Sequence, residues 1–430
     1  MLRRIAGVLR ARLPEVGLSR LDDTDPRGRR GLRWKRLSLL LRVPLIAMMA
    51  GRKSFKDAEA LTAEMSLPMR RLLKIPRRVP DTTMRNTVLV VEPDELRCAM
   101  RQQVRAAHRR KALAPQGLPF GQVAVDGKGT AIHSWDDRYA QRQRHSSGPG
   151  ASGVVRTLTA SLVTSSAKVC LDACPIRPAT NEMGQFKTAL ADLVDAYGRL
   201  NLFRLISTDA GMCSLANADA VVDRDLDYLM ALSSDQPTLF AEANRLLARR
   251  RRADAETEDF VGRKAIVRRL YITSDMAAFH GWSHLRSVVR VQSETFHRDT
   301  GELLERDDRY FASSLPRHAL TDAQWLFAVR AHWAVENNCH NTWDKIFDED
   351  DLPWITRGEG APQGVVVLML LRRIAYNMLA LFRCVTQRSH ERRKTPWKTL
   401  LRWVYNTLIA ASADDIAGLS PPKALTARAP

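Results

Sequence analysis

The hydrophobic positions along this chain change period twice, from helical to strand-like and back. Between residues 35 and 115 they favour helix. The apolar run 38–50 stops at Gly51, a residue suited to the left-handed cap that ends a helix. Ser54 then opens a second helix, with Asp57 three positions on in capping-box register. A further helix is predicted over 93–112, with Pro93 near its start. Short helices joined by basic loops read in two ways. One is a helix-turn-helix-like DNA-binding module, and the other is a helical bundle with a basic surface.

From Pro115–Pro119 the texture becomes strand-like. Gln122–Val125 is a strand that runs into Asp126-Gly127. Gly148–Gly153 reads as a turn-rich loop, Val154–Thr164 alternates with strand period, and Val169–Pro175 is a third strand. Glu182–Tyr197 reads as a helix capped by Asn181. Leu202–Ser207 is short and apolar and ends at Thr208-Asp209. Ser214–Val222 is a helix and Tyr228–Leu232 a buried strand. Three strands, helix, strand, helix, strand is an α/β pattern that opens with a hairpin meander.

Residues 241–315 form a β-rich insertion. Its strands are Ile266–Thr273, Leu285–Thr295 and Tyr310–Ser314, with a turn at Asp299-Thr300-Gly301 and a basic run, Arg249–Arg252, on an exposed face. Helices then return. Thr321 caps one that runs through Glu336 towards Phe347, and Gly364–Phe382 is a second, more apolar one. After about residue 386 the chain is basic, then weakly helical, and ends in an Ala/Pro stretch expected to be disordered. The predicted organisation is a helical basic domain over 1–115, the first part of an α/β core over 116–240, and the insertion over 241–315. A helical part of the core carrying Glu336 follows over 316–385, then a basic tail over 386–430.

Composition narrows the class. The 430 residues are 45% hydrophobic and 27% charged, ordinary globular values that exclude collagen, wholesale disorder and a small disulfide scaffold. The charge is not ordinary: 67 Lys and Arg against 47 Asp and Glu leave +20. Residues 1–115 hold 27 of those bases and 11 of the acids, so the first quarter carries +16. Such a surplus implies a polyanionic partner, and its position implies that the N-terminal helices meet it. Cys170-x3-Cys174 is the one close pair among six cysteines, and no His pair completes a zinc site beside it. The spacing fits a reducing compartment rather than a disulfide frame. The apolar stretches 38–51 and Val365–Leu371 are short and interrupted by Arg42 and Arg372-Arg373, whereas a membrane span needs about 20 apolar residues. MLRRIAGVLRARLPE lacks the apolar middle of a secretory signal.

Three acids stand out by position. Asp126 ends the first predicted strand, Asp209 ends the fourth, and Glu336 lies on a later helix beside Trp333 and Ala334-Val335. Neighbouring strands of an α/β sheet can bring two such carboxylates together. Two Asp and one Glu are hard oxygen ligands, suited to Mg²⁺ or Mn²⁺ rather than zinc. A pair of these ions about 3.5–4 Å apart supports phosphodiester chemistry. On position alone the same residues also fit two turn formers and a solvated helix charge. The chain has no G-x-x-x-x-G-K-[ST], H-E-x-x-H or G-x-S-x-G motif to compete with them.

Several motifs carry a family resemblance. They are Asp25-x-Arg27, Gly51-Arg52-Lys53-Ser54, and Asp81-Thr82-Thr83 with Arg85. Then come Ala124-Val125-Asp126-Gly127-Lys128, Asn181-Glu182, Ser207-Thr208-Asp209-Ala210, and Tyr228–Leu232 followed by Gln236-Pro237. Last are Arg309–Leu315, Arg330-x-His332-Trp333-x-Val335-Glu336-Asn337 and Phe347-Asp348-Glu349-Asp350. With these motifs, the chain resembles bacterial insertion-sequence transposases of the ISAs type, the group that includes H-repeat-associated proteins, from about residue 22 to about 385. It departs from them at Gly129–His133, at Ser233-Ser234-Asp235-Gln236 and at His340-Asn341.

The resemblance implies a ribonuclease-H-like α/β core with a β-rich insertion, preceded by the helical basic domain. It implies an Asp-Asp-Glu triad on Asp126, Asp209 and Glu336, spaced 83 and 127 residues apart. Asp126 and Asp209 would bridge two Mg²⁺ (or Mn²⁺) ions, and Glu336 would hold the second. The implied activity is cleavage of transposon ends and attack of the freed 3′-hydroxyl on target DNA. Lys128 and Arg330 are expected to face scissile phosphates, or else to be surface charges. The implied partners are transposon-end and target DNA and further copies of the chain on DNA, with no membrane, in a cytoplasmic, nucleoid-associated setting. Three side readings stay open. His332, Glu336 and His340 share a helix face that a transition metal could use; Trp333 is core or a base-stacking wedge; Glu349 is an alternative third ligand or part of a solvated acidic cap. Two rival functions stay open as well. One is a catalytically decayed DNA-binding derivative, and the other a structure-specific nuclease on the same core.

Overall fold

The computed structural model describes residues 1–28, 32–143, 152–387 and 389–419. Helix α1 (Leu2–Arg12) opens the chain, followed by α2 (Leu37–Met49), α3 (Phe55–Glu64), α4 (Leu67–Leu73), α5 (Asp81–Val88) and α6 (Pro93–Arg109). Strands β1 (Gln122–Ile132), β2 (Ala140–Gln143), β3 (Ser152–Leu162) and β4 (Cys170–Ile176) form the meander. Then α7 (Glu182–Tyr197), β5 (Leu205–Thr208), α8 (Leu215–Val222) and β6 (Asp227–Leu232) alternate, and α9 (Pro237–Leu247) leads into β7 (Ala255–Val261), β8 (Lys264–Thr273), β9 (Ser287–His297) and β10 (Leu303–Ser313). The closing helices are α10 (Asp322–His332), α11 (Asn341–Lys345), α12 (Ala361–Leu381), α13 (His390–Arg393), α14 (Trp397–Ala410) and α15 (Ala413–Ala417).

Local chemistry explains many of these boundaries. Gly51 adopts φ +71°, and Arg52 N–H closes onto the Ala47 carbonyl at 2.9 Å, which ends α2 as a left-handed cap requires. Ser54 Oγ accepts the Asp57 N–H, but the Asp57 carboxylate takes the N–H of Lys53, so half of the predicted box forms. Asn181 caps α7 through the Gly184 N–H at 2.9 Å. Thr321 and Gln324 make a complete capping box at α10.

The described strands form one mixed, ten-stranded sheet in the order β2-β3-β1-β5-β6-β10-β9-β8-β7, with β4 also on β3. Strand β1 runs antiparallel to β3 and parallel to β5, and β5 runs parallel to β6. The strands after residue 255 are not set apart from this sheet. Tyr310–Ser313 of β10 pair with Leu232–Leu229 of β6, so β7–β10 extend it.

Side chains alternate across the sheet, as strand geometry demands. Leu205, Leu229, Val289 and Phe311 join Trp325, Leu326 and Val329 of α10 in one core. Their neighbours Ile206, Tyr228, Met230, Val288 and Tyr310 join the other core, with Leu190, Val221, Leu239 and the length of α12. That second core continues through α2 and α6 to Leu400, Val404 and Leu408 of α14. The segment read as a weakly helical tail is thus a 14-residue helix built into the N-terminal helical layer. The final Ala/Pro stretch, and residues 148–151 of the predicted loop, lie outside the described residues.

Four local readings need correction. Strand β1 does not stop at Asp126 but continues to Ile132, because Thr130 and Ala131 pair with Val155 and Val154 of β3. The helix expected to run through Glu336 breaks after His332, and Val335–His340 is wound as a π-helix. Helix α9 occupies the start of the region read as β-rich, and β2 and β7 escaped notice because they are short or mostly exposed. Finally, Ala361–Thr386 is long and apolar enough to cross a membrane by length and composition, yet its most apolar window is wholly buried inside the fold.

Candidate active site

Asp126 and Asp209 stand side by side. The parallel pairing of β1 and β5 ends at Val125 opposite Thr208, so the next residue on each strand is a carboxylate. Beyond this point β1 continues without β5 as neighbour, which leaves a notch at the sheet's centre. Asp209 begins a short 3-10 turn, Ala210–Met212, that carries the chain away from the sheet.

Helix α10 brings Glu336 to this notch. Gln122 Nε2 donates to Ser207 Oγ and to the Ala328 carbonyl, each at 2.9 Å. His332 Nδ1 lies 3.2 Å from the same Ser207 Oγ. These contacts tie β1, β5 and the last turn of α10 together beneath the acids. Val335, Cys339 and His340 then face inward from the π-helix, whereas Glu336 and Asn337 are exposed. The wider π turn removes the predicted common face of His332, Glu336 and His340. His332 instead serves the α10–sheet contact, and burial holds it down at about 4, hence neutral.

The electrostatics show that the acids share one field. Asp126 is pushed up to about 7, first by burial and then by Glu336 and Asp209, against the opposing N–H of Gly127 at 2.8 Å. Burial also raises Asp209, while the N–H groups of Gly211 and Met212 pull the other way. A fourth carboxylate, Glu182 at the first turn of α7, is raised by burial and then by Asp209. Glu182 reaches the site over Gly127: a Cβ at that position would lie 1.9 Å from Glu182 Oε1. The sequence reading took Glu182 only as a residue at a helix start. Its place beside Asp209 follows from how β4 and α7 pack, and no local signal carries it.

His340 also belongs here. Its Nδ1 lies 3.4 Å from Asp126 Oδ2. Burial, then Arg373 and Lys128, hold its ring down at about 3. Lys128 turns inward: it is buried, and its Nζ lies 2.9 Å from Asp344 and 2.6 Å from Asp350. Arg330 sits at the rim, 2.6 Å from Asp259 of β7. Glu349 is not solvated. It is fully buried in contact with Arg373, whose guanidinium lies 3.9 Å from the Trp343 ring centre. Trp333 is partly buried against Phe311, with Arg309 4.5 Å above its ring.

The donor set fits a hard divalent cation. Its reachable atoms are carboxylate oxygens, and Asp209 Oδ1 is buried with no hydrogen-bond partner. A cation would relieve the repulsion that raises Asp126. Among the described residues, however, no three of His, Cys, Asp or Glu already form a closed ligand set. The acids share a field without yet sharing a centre.

Comparison with known proteins adds two curated relatives, both from Escherichia coli strain K12. The chain is 28% identical over 272 residues to "H repeat-associated putative transposase YhhI". It is 27% identical over 272 residues to "Putative protein YbfL". Each match covers 60% of this chain and 63% of the relative, so the chain spans less than two thirds of the curated relatives it matches. The resemblance to H-repeat-associated proteins read from the sequence is thus borne out. No protein-family profile matches the chain. Among solved structures, a piggyBac transposase synaptic complex with hairpin DNA aligns with TM-score 0.44 and 12% identity over 97% of this chain and 85% of that one. A likeness at that level carries no argument.

Proposed function

We propose that this chain is a DNA transposase of the insertion-sequence class, of the ISAs type, built on a ribonuclease-H-like core. One observation carries the reading. Asp126 and Asp209 occupy matching positions where two central parallel strands part, and Glu336 lies within their field. The antiparallel meander β1-β3-β4, followed by parallel β5 and β6, agrees with the core implied by the family resemblance. The similarity to a relative named as an H repeat-associated putative transposase supports the same reading.

In this proposal Asp126, Asp209 and Glu336 hold two Mg²⁺ or Mn²⁺ ions. Bound there, the ions supply Lewis-acid activation of the phosphodiester and of its attacking oxygen. The chain's own residues do the rest. Gln122, Ser207 and His332 fix the angle between the sheet and α10, and so the reach of Glu336. Lys128 holds Asp344 and Asp350 away from the acidic notch. Arg330, at the rim and half-exposed, is the proposed contact for DNA phosphates. The basic helices of residues 1–115 are proposed to bind the element ends, with assembly of several copies on DNA in the bacterial cytoplasm.

The test is a Mg²⁺-dependent cleavage and strand-transfer assay on the element's own ends, with Asp126→Ala alongside. The proposal expects the variant to bind DNA but to lose cleavage. Cleavage retained in Asp126→Ala overturns the triad. Binding by the unsubstituted chain without any cleavage favours a decayed, DNA-binding derivative. Cutting of branched DNA without strand transfer favours a nuclease.

A further inference from the structure

Asn337, the residue after Glu336, lines two hollows that each gather three cations, paired in one and, among the described residues, unpaired in the other. The first lies against the sheet extension and carries Arg268, Arg309 and Arg330. Its charge is largely answered from within. Arg268 and Arg330 share Asp259 at 2.6 Å each, and Arg309 pairs with Asp307 at 2.6 Å.

The second hollow, about 250 Å³, lies among the π-helix, α11, the end of α12 and the start of α14. Lys168, Lys345 and Arg383 all line it, and no Asp or Glu does. Among the described residues none of these three cations has an ion-pair partner, although the fold holds them together. Lys168 is fixed in the left-handed region, φ +46°. Its N–H donates to Ser165 Oγ at 3.0 Å, and its carbonyl accepts from Tyr376 Oη at 3.2 Å. The Cys339 thiol of the π-helix donates to the same carbonyl at 3.3 Å. Arg383 lies over Trp397 at 5.2 Å, and Trp397 stacks on Tyr376 at 5.3 Å. Arg383 Nε is buried without an acceptor. Three gathered cations repel one another, and an unpaired buried donor is destabilising. Both costs are removed by an anion with several acceptor oxygens. Asn338 and Asn341 add amide donors along the same wall.

We propose that this hollow binds the phosphodiester backbone of the DNA strand that crosses the candidate active site, with Lys345 and Arg383 as its positioning residues. The inference rests on the transposase reading for the identity of the strand. It rests on the uncompensated charge beside Glu336 for the site itself. It also gives the C-terminal segment a role, since Arg383 and Trp397 lie at and beyond the end of the expected catalytic core.

The test measures equilibrium binding of a fluorescein-labelled DNA with a single-stranded tail, in EDTA and over a KCl series. Full-length chain carrying Asp126→Asn is the parent. Adding Lys345→Ala and Arg383→Ala is expected to weaken binding about tenfold and to lower the salt slope by about 1.4, two single-strand phosphate contacts at about 0.7 each. Arg251→Ala with Arg252→Ala removes the same charge from an exposed run elsewhere, and is expected to change the slope by less than half as much. Lys345→Ala alone, at an exposed position, is expected to lower the slope by about 0.7 and covers the case in which the double variant fails to fold. Equal effects of the two double variants, or none from the hollow pair, overturn the proposal. Mg²⁺-dependent cutting by the unsubstituted chain separates the two readings. If the chain cuts but its binding ignores Lys345 and Arg383, only this inference falls. If it does not cut but shows the slope difference, the metal chemistry falls and the hollow stands.

Discussion

His340 Nδ1 lies 3.4 Å from Asp126 Oδ2, and the contact is a neutral ring beside a carboxyl group rather than an ion pair. Burial keeps the ring unprotonated down to about 3, and the same burial, with Glu336 and Asp209, raises Asp126 to about 7. Near neutral pH the proton therefore sits partly on Asp126. In the proposed site Asp126 would have to release it before serving as a ligand, which would couple cation binding to proton release. Apparent Mn²⁺ or Mg²⁺ affinity should climb between about pH 6 and 8, approaching tenfold per unit at the acid end. Calorimetric titration in two buffers of different ionisation enthalpy measures the released proton. Binding with no proton released at pH 6.5 would contradict the arrangement.

The same group sets a stability trend without metal. Asp126 titrates higher in the folded chain than its ordinary 3.8. The folded state therefore holds more protons between these values, and stability falls as pH rises from about 4 to about 7. Asp126→Asn removes that loss. In metal-free buffer at pH 8 the variant should melt about 2–4 °C above the parent, and the gap should narrow at pH 4. Mg²⁺ should raise the parent's midpoint more than the variant's. Thermal melts at the two pH values, with and without Mg²⁺, decide it.

Gly127 and Glu182 should behave as one unit. A methyl at residue 127 would meet the Glu182 carboxylate at 1.9 Å, and the flexible acid would have to swing away. Gly127→Ala and Glu182→Gln should each lower the cleavage rate about tenfold, as loss of a supporting group around a metal site does. The double variant should be no worse than either single one, because both remove the same carboxylate. Additive losses in single-turnover assays would separate the two residues.

Lys128 should matter for stability more than for binding. It is buried, with two carboxylates for company, and Asp350 keeps 45% of its side-chain surface. Lys128→Met should cost about 1–3 kcal/mol, less than the 3–5 typical of breaking a fully buried pair. Arg330→Ala should cost under about 0.5 kcal/mol, since exposed pairs contribute little and Arg268 still covers Asp259. Urea unfolding ranks the two.

Much of the site was legible because its signals are local. Asn181 and Ser214 announce α7 and α8 by capping chemistry, and apolar runs that end in Asp126 and Thr208-Asp209 mark β1 and β5. Parallel neighbours then bring the two acids together. What escaped depends on distant contacts. The strand predicted over Gln122–Val125 runs on through Gly129–Ile132 because β3 supplies partners for it. The residues 333–340 keep helical spacing in sequence, yet packing against Lys168 and Tyr376 through Cys339 accompanies a wider turn. In sequence Glu349 reads as an alternative third ligand or as part of a solvated acidic cap. Only the fold of α12 puts Arg372 and Arg373 against it.

The first helices meet the last described ones. Ser66 N–H donates to the Leu408 carbonyl at 3.0 Å, Ser66 Oγ to Ala411 at 2.9 Å, and Arg3 reaches the Gly418 carbonyl. During synthesis the first helices leave the ribosome long before α12 and α14 exist to cover them. The part of Leu37–Met49 that α12 and α14 cover, beyond what α3 and α5 shield, must wait more than 300 residues of translation for its partners. Completion of the helical layer therefore waits on the synthesis of α12 and α14. A gene copy interrupted before α14 would yield a chain with its N-terminal core open, prone to aggregate and to be degraded. Such a chain would be lost through protein turnover even where every acidic residue of the notch is still encoded.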